Sequence, residues 1–207
     1  MRFYLSSYKI GKETAAFKRL FPKNRKTAYI PNALDFSSDL ARRKKSIQSD
    51  ILPLTELGLK VEILDLRDYF SKPKKLEKKC SEFGVFWVRG GNAFVLRQAM
   101  HKSGFDVLVK KMHREKADVV YSGFSAGICV LGPSLKGIHI MDDLSQKPYG
   151  KPSKIIWKGL GLLDYTIVPH YKSPHPETEL ADKAISYLIE KKILFKALRD
   201  GEALIVV

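Results

Sequence analysis

Short apolar runs alternate with amphipathic stretches along the chain. Strand-like runs are predicted at Phe3 to Leu5, Thr27 to Ile30, Val61 to Leu66, Val85 to Val88, Val119 to Tyr121, Tyr165 to Val168 and Leu204 to Val207. Helical patterns lie between them. Ser37 or Ser38 is expected to cap a long helix running through Leu57, with Pro53 as a kink or break. Lys74 to Phe83, Ala93 to Met100 capped by Asn92, Val107 to Arg114, and a segment from Pro176-Glu177 to Lys192 are the other helices. In the last of these, Leu180, Ala184, Ile185 and Leu188 recur at helical spacing. The stretch from Gly137 to Lys158 is the least regular and is expected to form a hairpin or flap.

Strands separated by helices imply right-handed βαβ units and an α/β fold with a doubly wound, largely parallel sheet. Ligand sites in such sheets lie beyond the carboxyl ends of the strands, which directs attention to the loops after Val88, Tyr121 and Val168. At 207 residues the chain fits a single domain, 1–207. Its 44% apolar and 29% charged content are those of an ordinary globular protein.

The net charge of +15 raises the question of nucleic acid or anionic lipid. Its distribution argues against both. The basic residues fall in small groups (Arg42 to Lys45, Lys72 to Lys79, Lys110 to Lys116, Lys191-Lys192) on solvent faces of helices, without interleaved aromatic platforms. A solvated basic surface is the better reading, and it also favours small acidic ligands. Cys80 and Cys129 lack metal-type or C-x-x-C spacing, and the first residues form a strand rather than a leader. No run has the length of a membrane span, so a cytoplasmic protein is expected.

Residues 119–127 read Val-Val-Tyr-Ser-Gly-Phe-Ser-Ala-Gly, the pattern of a nucleophile elbow in which a strand turns sharply into a helix and presents a serine at the tip. Ser125 is the candidate nucleophile; a glycine-rich strand-to-helix turn of no catalytic role is the bland alternative. A serine hydroxyl needs a base. His101 and His113 sit in lysine-bearing helical stretches, and His139 alternates within a strand-like Gly-Ile-His-Ile. His170 follows an apolar strand and emerges in the same layer as the elbow, so it is the preferred base, with His175 in reserve. Asp200, in the tight Asp-Gly loop before the last strand, is the preferred acid to orient it; Glu202 and Asp164 are alternatives. The N–H of Ala126 and one from the Val88 to Asn92 turn can supply oxyanion donors. His170 and His175 lack a third ligand at a plausible sequence spacing, so neither metal nor other cofactor is expected.

These residues resemble the dipeptidase E (aspartyl dipeptidase) family of serine peptidases, which has a class I glutamine amidotransferase-like fold. The resemblance rests on Gly90-Gly91-Asn92, Gly123-Phe124-Ser125-Ala126-Gly127, Pro169-His170-Tyr171 and Leu198-Arg199-Asp200-Gly201, in the family's order and spread over most of the chain. It implies a catalytic triad of Ser125, His170 and Asp200 with Gly91 and Ala126 as the oxyanion hole, and a short peptide as substrate along Gly90, Asn92 and Arg89. The chain is expected to work as a monomer or homodimer.

Two departures from the family stand out. Asp200 occupies the place of a glutamate, and Arg89 stands where the first of three glycines is common; that arginine narrows the cleft or binds a substrate carboxylate. The helix after His170 carries Thr178-Glu179-Leu180 without a basic residue, which speaks against strict aspartyl specificity. The competing readings are a cyanophycinase-like enzyme, an esterase of the α/β-hydrolase order Ser, acid, His through Asp142, Asp143 or Asp164, and a non-catalytic basic binding protein.

Overall fold

The computed structural model describes residues 1–150 and 154–207. Six strands form the main sheet: β1 (Arg2–Ser6), β2 (Lys26–Ile30), β3 (Lys60–Ile63), β4 (Val85–Val88), β5 (Val120–Phe124) and β8 (Ala203–Val206), in the order β3-β2-β4-β5-β1-β8. All pairings are parallel except that of β8 with β1. Two further strands, β6 (Thr166–Val168) and β7 (Phe195–Ala197), pair in parallel as a small second sheet.

The period of two along each central strand divides the core between the faces. Phe3, Leu5, Ala28, Ile30, Phe86, Val88 and Tyr121 enter one core, together with residues of α3 (Pro73–Cys80), α4 (Ala93–Ser103), α5 (Phe105–Arg114) and α7 (Thr178–Glu190). Tyr4, Tyr29, Val85, Trp87, Val120 and Phe124 enter the other, beneath α1 (Thr14–Arg19) and α2 (Leu40–Glu56). Central strands covered on both sides have no polar face to show, which is why β4 reads Val-Phe-Trp-Val. The edge strand β3 is different: Glu62 and neighbouring Glu82 pair with Lys26 and Lys79, a charged rim that discourages edge-to-edge association.

Local chemistry moved several element boundaries from their sequence positions. Asp39, rather than Ser37 or Ser38, caps α2, its carboxylate accepting the Arg42 N–H at 2.8 Å. The helix runs through Pro53 to Glu56. The third strand stops at Ile63, short of Leu66, which enters a 3-10 turn. Around His139 the chain also forms a 3-10 turn, Ile138–Ile140, in place of the expected strand. Helix α1 and strand β7 escaped the sequence reading because each is too short to display a period. The Gly137 to Lys158 stretch lies partly outside the described residues. Its described part packs against the start of α4, where Asn92 Nδ2 donates to Asp143 O and Gln146 Oε1.

Parallel pairing brings the carboxyl ends of β1, β4 and β5 to one edge. Leu5 and Val88 both stand opposite Gly123, so Ser7, Gly90 and Ser125 follow side by side.

Candidate active site

Strand β5 leads straight into the four-residue helix α6 (Ala126–Cys129), and the turn between them is Ser125, with φ 51° and ψ −119°. Non-glycine residues rarely hold a positive φ, and keeping one there costs about 1–3 kcal/mol. Close packing enforces it. A Cβ on Gly127 would stand 2.1 Å from Val88 O, so α6 reaches β4 only because this position has no side chain. The elbow is therefore a property of the backbone as well as of the motif.

His170 leaves the end of β6, is 1% exposed and also holds a positive φ of 64°. Its Nδ1 lies 2.8 Å from Asp200 Oδ1. Since an ionised carboxylate only accepts, the ring proton sits on Nδ1 and the Nε2 lone pair is left free. Burial, assisted by the neighbouring His175, lowers the His170 pKa to about 4 against the opposing pull of Asp200. The imidazole is thus neutral near pH 7.

Asp200 is held from three directions. Besides His170, Ser7 Oγ lies 2.8 Å from Oδ1, and Ser173 Oγ accepts the Asp200 N–H at 2.8 Å. Ser7 Oγ in turn accepts the His170 N–H at 2.8 Å, so one hydroxyl ties His170 to Asp200. Sequence reasoning passed over both serines. Ser7 had a signal, because it follows the carboxyl end of a strand as the other site residues do.

The alternative acids fall elsewhere. Glu202 accepts the Arg199 N–H, and Asp164 is exposed. Asp142 accepts the Ala93 N–H at 2.8 Å, and burial pushes its carboxyl up to about 7; Asp143 is exposed and accepts from Ser145. His175, the reserve base, stacks on His170 and takes the Glu177 N–H on Nδ1 at 3.2 Å.

A cleft of about 280 Å³ gathers Tyr8, Arg42, Arg89, Gly90, Gly91, Phe124, Ser125, His170, His175 and Glu177. Among the described residues no hydrogen bond joins Ser125 Oγ to His170, although both face this cleft. Gly91 holds φ 139°, and a Cβ there would meet Ala33 O at 2.4 Å. The Asn92 N–H is taken by Ala33 O, whereas the N–H groups of Gly91 and Ala126 have no backbone acceptor among the described residues.

The substrate-side expectations divide. Arg89 lines the cleft but is tied down, with Nε 2.8 Å from Asp50 Oδ2 and its other nitrogens on Gly90 O and Ser46 Oγ. Arg42 was noticed in the sequence only as part of a basic group. Its guanidinium makes no ion pair among the described residues, and it lies both in this cleft and in an adjoining one of about 280 Å³. Asn92 does not line the cleft: its Oδ1 accepts the Phe94 and Val95 N–H groups, so it serves as the helix cap. The fold brings a third candidate donor to the two histidines that their sequence spacing did not suggest. Glu177 offers an oxygen beside both.

Comparison with known proteins finds peptidases. The profile of peptidase family S51 matches residues 8–207. An uncharacterised peptidase of Pasteurella multocida is 27% identical over 163 residues, spanning 79% of this chain and 72% of that one. A peptidase E of Streptomyces coelicolor is 30% identical over 130 residues, or 59% of this chain and 49% of its own. Among solved structures, a candidate peptidase E protein from Listeria monocytogenes superimposes with a TM-score of 0.73 at 24% identity, covering 99% of this chain and 93% of its own. A peptidase from an acI-B1 actinobacterium gives 0.71 at 14% identity, covering 99% and 82%.

Proposed function

The chain belongs to peptidase family S51 and is a serine-type peptidase, and from that premise we propose that it cleaves dipeptides or short peptides through Ser125, His170 and Asp200. The observation that carries this reading is the partly buried His170 Nδ1 to Asp200 Oδ1 contact of 2.8 Å, with His170 in one cleft with a serine at a strained elbow.

In this mechanism His170 Nε2 removes the Ser125 proton as Oγ attacks the scissile carbonyl, and the Gly91 and Ala126 N–H groups take the charge that develops on oxygen. His170 then gives the proton to the departing amine, leaving an acyl-serine. Water, activated by the same nitrogen, hydrolyses the ester and restores the serine. Asp200 keeps the ring in the Nδ1–H tautomer and balances its positive form. The hydrogen bond from Ser125 to His170 closes as the substrate arrives, a tightening common at catalytic sites.

Arg42 beside the cleft favours a peptide whose free carboxylate lies near the scissile bond, which supports a dipeptide over a long chain. The buried free thiols Cys80 and Cys129 support a reducing, cytoplasmic setting. Among the described residues no helix is long and apolar enough to cross a membrane.

A fluorophosphonate probe together with a dipeptide panel (N-terminal Asp, Asn, Glu and neutral residues) tests the proposal. The wild type should label at Ser125 and hydrolyse at least one member; Ser125→Ala and His170→Ala should each do neither. Turnover near the wild-type rate in either variant would remove the assignment.

A further inference from the structure

Beside the base the fold assembles a second set of donors. The rings of His170 and His175 lie parallel, 3.7 Å apart with 6° between their planes. Glu177 Oε2 stands 3.8 Å from His170 Nε2. One donor atom from each of His170, His175 and Glu177 lies within 4.8 Å of the other two. Two imidazoles and a carboxylate, with water in the fourth place, are a ligand set that zinc accepts. Tetrahedral bonds of about 2.1 Å set ligand atoms about 3.4 Å apart, so the site closes when the His175 ring rotates out of the stack and Glu177 moves inward.

The surroundings favour it. Asp200 on His170 Nδ1 is the outer carboxylate that commonly orients a metal-bound histidine, and it leaves the Nε2 edge open beside Glu177 Oε2. His175 must give up the hydrogen bond it accepts from the Glu177 N–H, which at 3.2 Å is longer than the 2.8 Å contact between His170 and Asp200. The thiols do not compete: Cys80 and Cys129 are buried, and burial raises both, Cys80 to about 12.

The geometry points to a divalent transition-metal site made by His170, His175 and Glu177, through which zinc holds the peptidase inactive by occupying the lone pair that the base requires. The inhibitory half of this statement rests on His170 being that base; the binding half does not.

Calorimetric titration of Zn²⁺ into the EDTA-treated protein separates the two halves. One zinc per chain, with a Kd on the order of micromolar, is expected for the wild type and for Ser125→Ala, which keeps all three ligands whatever the catalytic role of the serine. His175→Gln and Glu177→Gln should each bind at least about tenfold more weakly, with the zinc-free melting temperature close to that of the wild type. No binding at about 100 µM, or equal binding by the wild type and both ligand variants, would overturn the site. Zinc should also slow fluorophosphonate labelling of Ser125, and EDTA should restore it. Labelling indifferent to saturating zinc would overturn the inhibition. Absence of labelling without zinc would instead count against the peptidase mechanism, while calorimetry still reads the site.

Discussion

Acidification should destabilise this protein through one buried imidazole. His170 is 1% exposed, and burial with the adjacent His175 lowers its pKa from 6.5 to about 4. As pH falls below 6.5 the unfolded chain takes up a proton on this residue, but the folded protein does not until about pH 4. The unfolded state binds more protons throughout that window, so folding stability declines as the pH drops through it. At about 1.4 kcal/mol per pH unit, the full window is worth about 3 kcal/mol, an order-of-magnitude figure. Other groups shift as well: burial raises the Asp142 carboxyl to about 7 and lowers the His139 imidazole. The assay is therefore a difference, with urea unfolding of wild type and His170→Gln compared at intervals from pH 7 to pH 4. Glutamine keeps a side-chain amide toward Asp200 and carries no titrating proton. The wild type should lose about 3 kcal/mol more than the variant across the window. Parallel curves would refute both the depressed pKa and the claim that burial sets it. The same shift predicts that the labelling rate of Ser125 stays on its plateau at pH 5.5, where an ordinary histidine would be mostly protonated.

Asp200→Asn should lower kcat by roughly 10²- to 10⁴-fold with little change in melting temperature, measured as dipeptide turnover; a comparable loss in Asp164→Asn with Asp200→Asn spared would return the acid role to the alternative order. Ser7→Ala removes the hydroxyl that accepts the His170 N–H and lies against Asp200. It should cost about 1–3 kcal/mol in chemical unfolding and also depress kcat, whereas a purely structural serine would change stability alone. Gly127→Ala should fail to fold or should melt far below the wild type, since its Cβ would lie 2.1 Å from Val88 O; a normal melting curve would show that the elbow tolerates a shift of α6 away from β4.

Much of the architecture was legible from residue patterns alone. β4 was bounded correctly at Val85 and Val88, because a strand buried on both faces must be apolar throughout, and here it runs between Gly84 and the charged Arg89. The cap at Asn92 was legible for a similar reason: an amide oxygen before an apolar helical run has few other uses. The serine elbow was legible because its geometry admits only small neighbours. Those features are local, and their physics is written in adjacent residues.

What the sequence could not determine is what side chains distant in the chain do once the strands are aligned. Ser7 and Asp200 are 193 residues apart and meet because β8 pairs antiparallel with β1. Asn92, read as a substrate residue, turned inward because two helix N–H groups and the Asp143 to Gln146 stretch absorb its amide. Arg89 stayed in the cleft with its charge held by Asp50 on α2. Glu177, a mere helix opener in the sequence, became a neighbour of both histidines because the turn after His170 folds back over the cleft. Local propensity placed Ser125 at its tip. Burial depth, the tautomer of His170 and the donors around both belong to the packed sheet, since each depends on desolvation and contacts that no sequence spacing encodes.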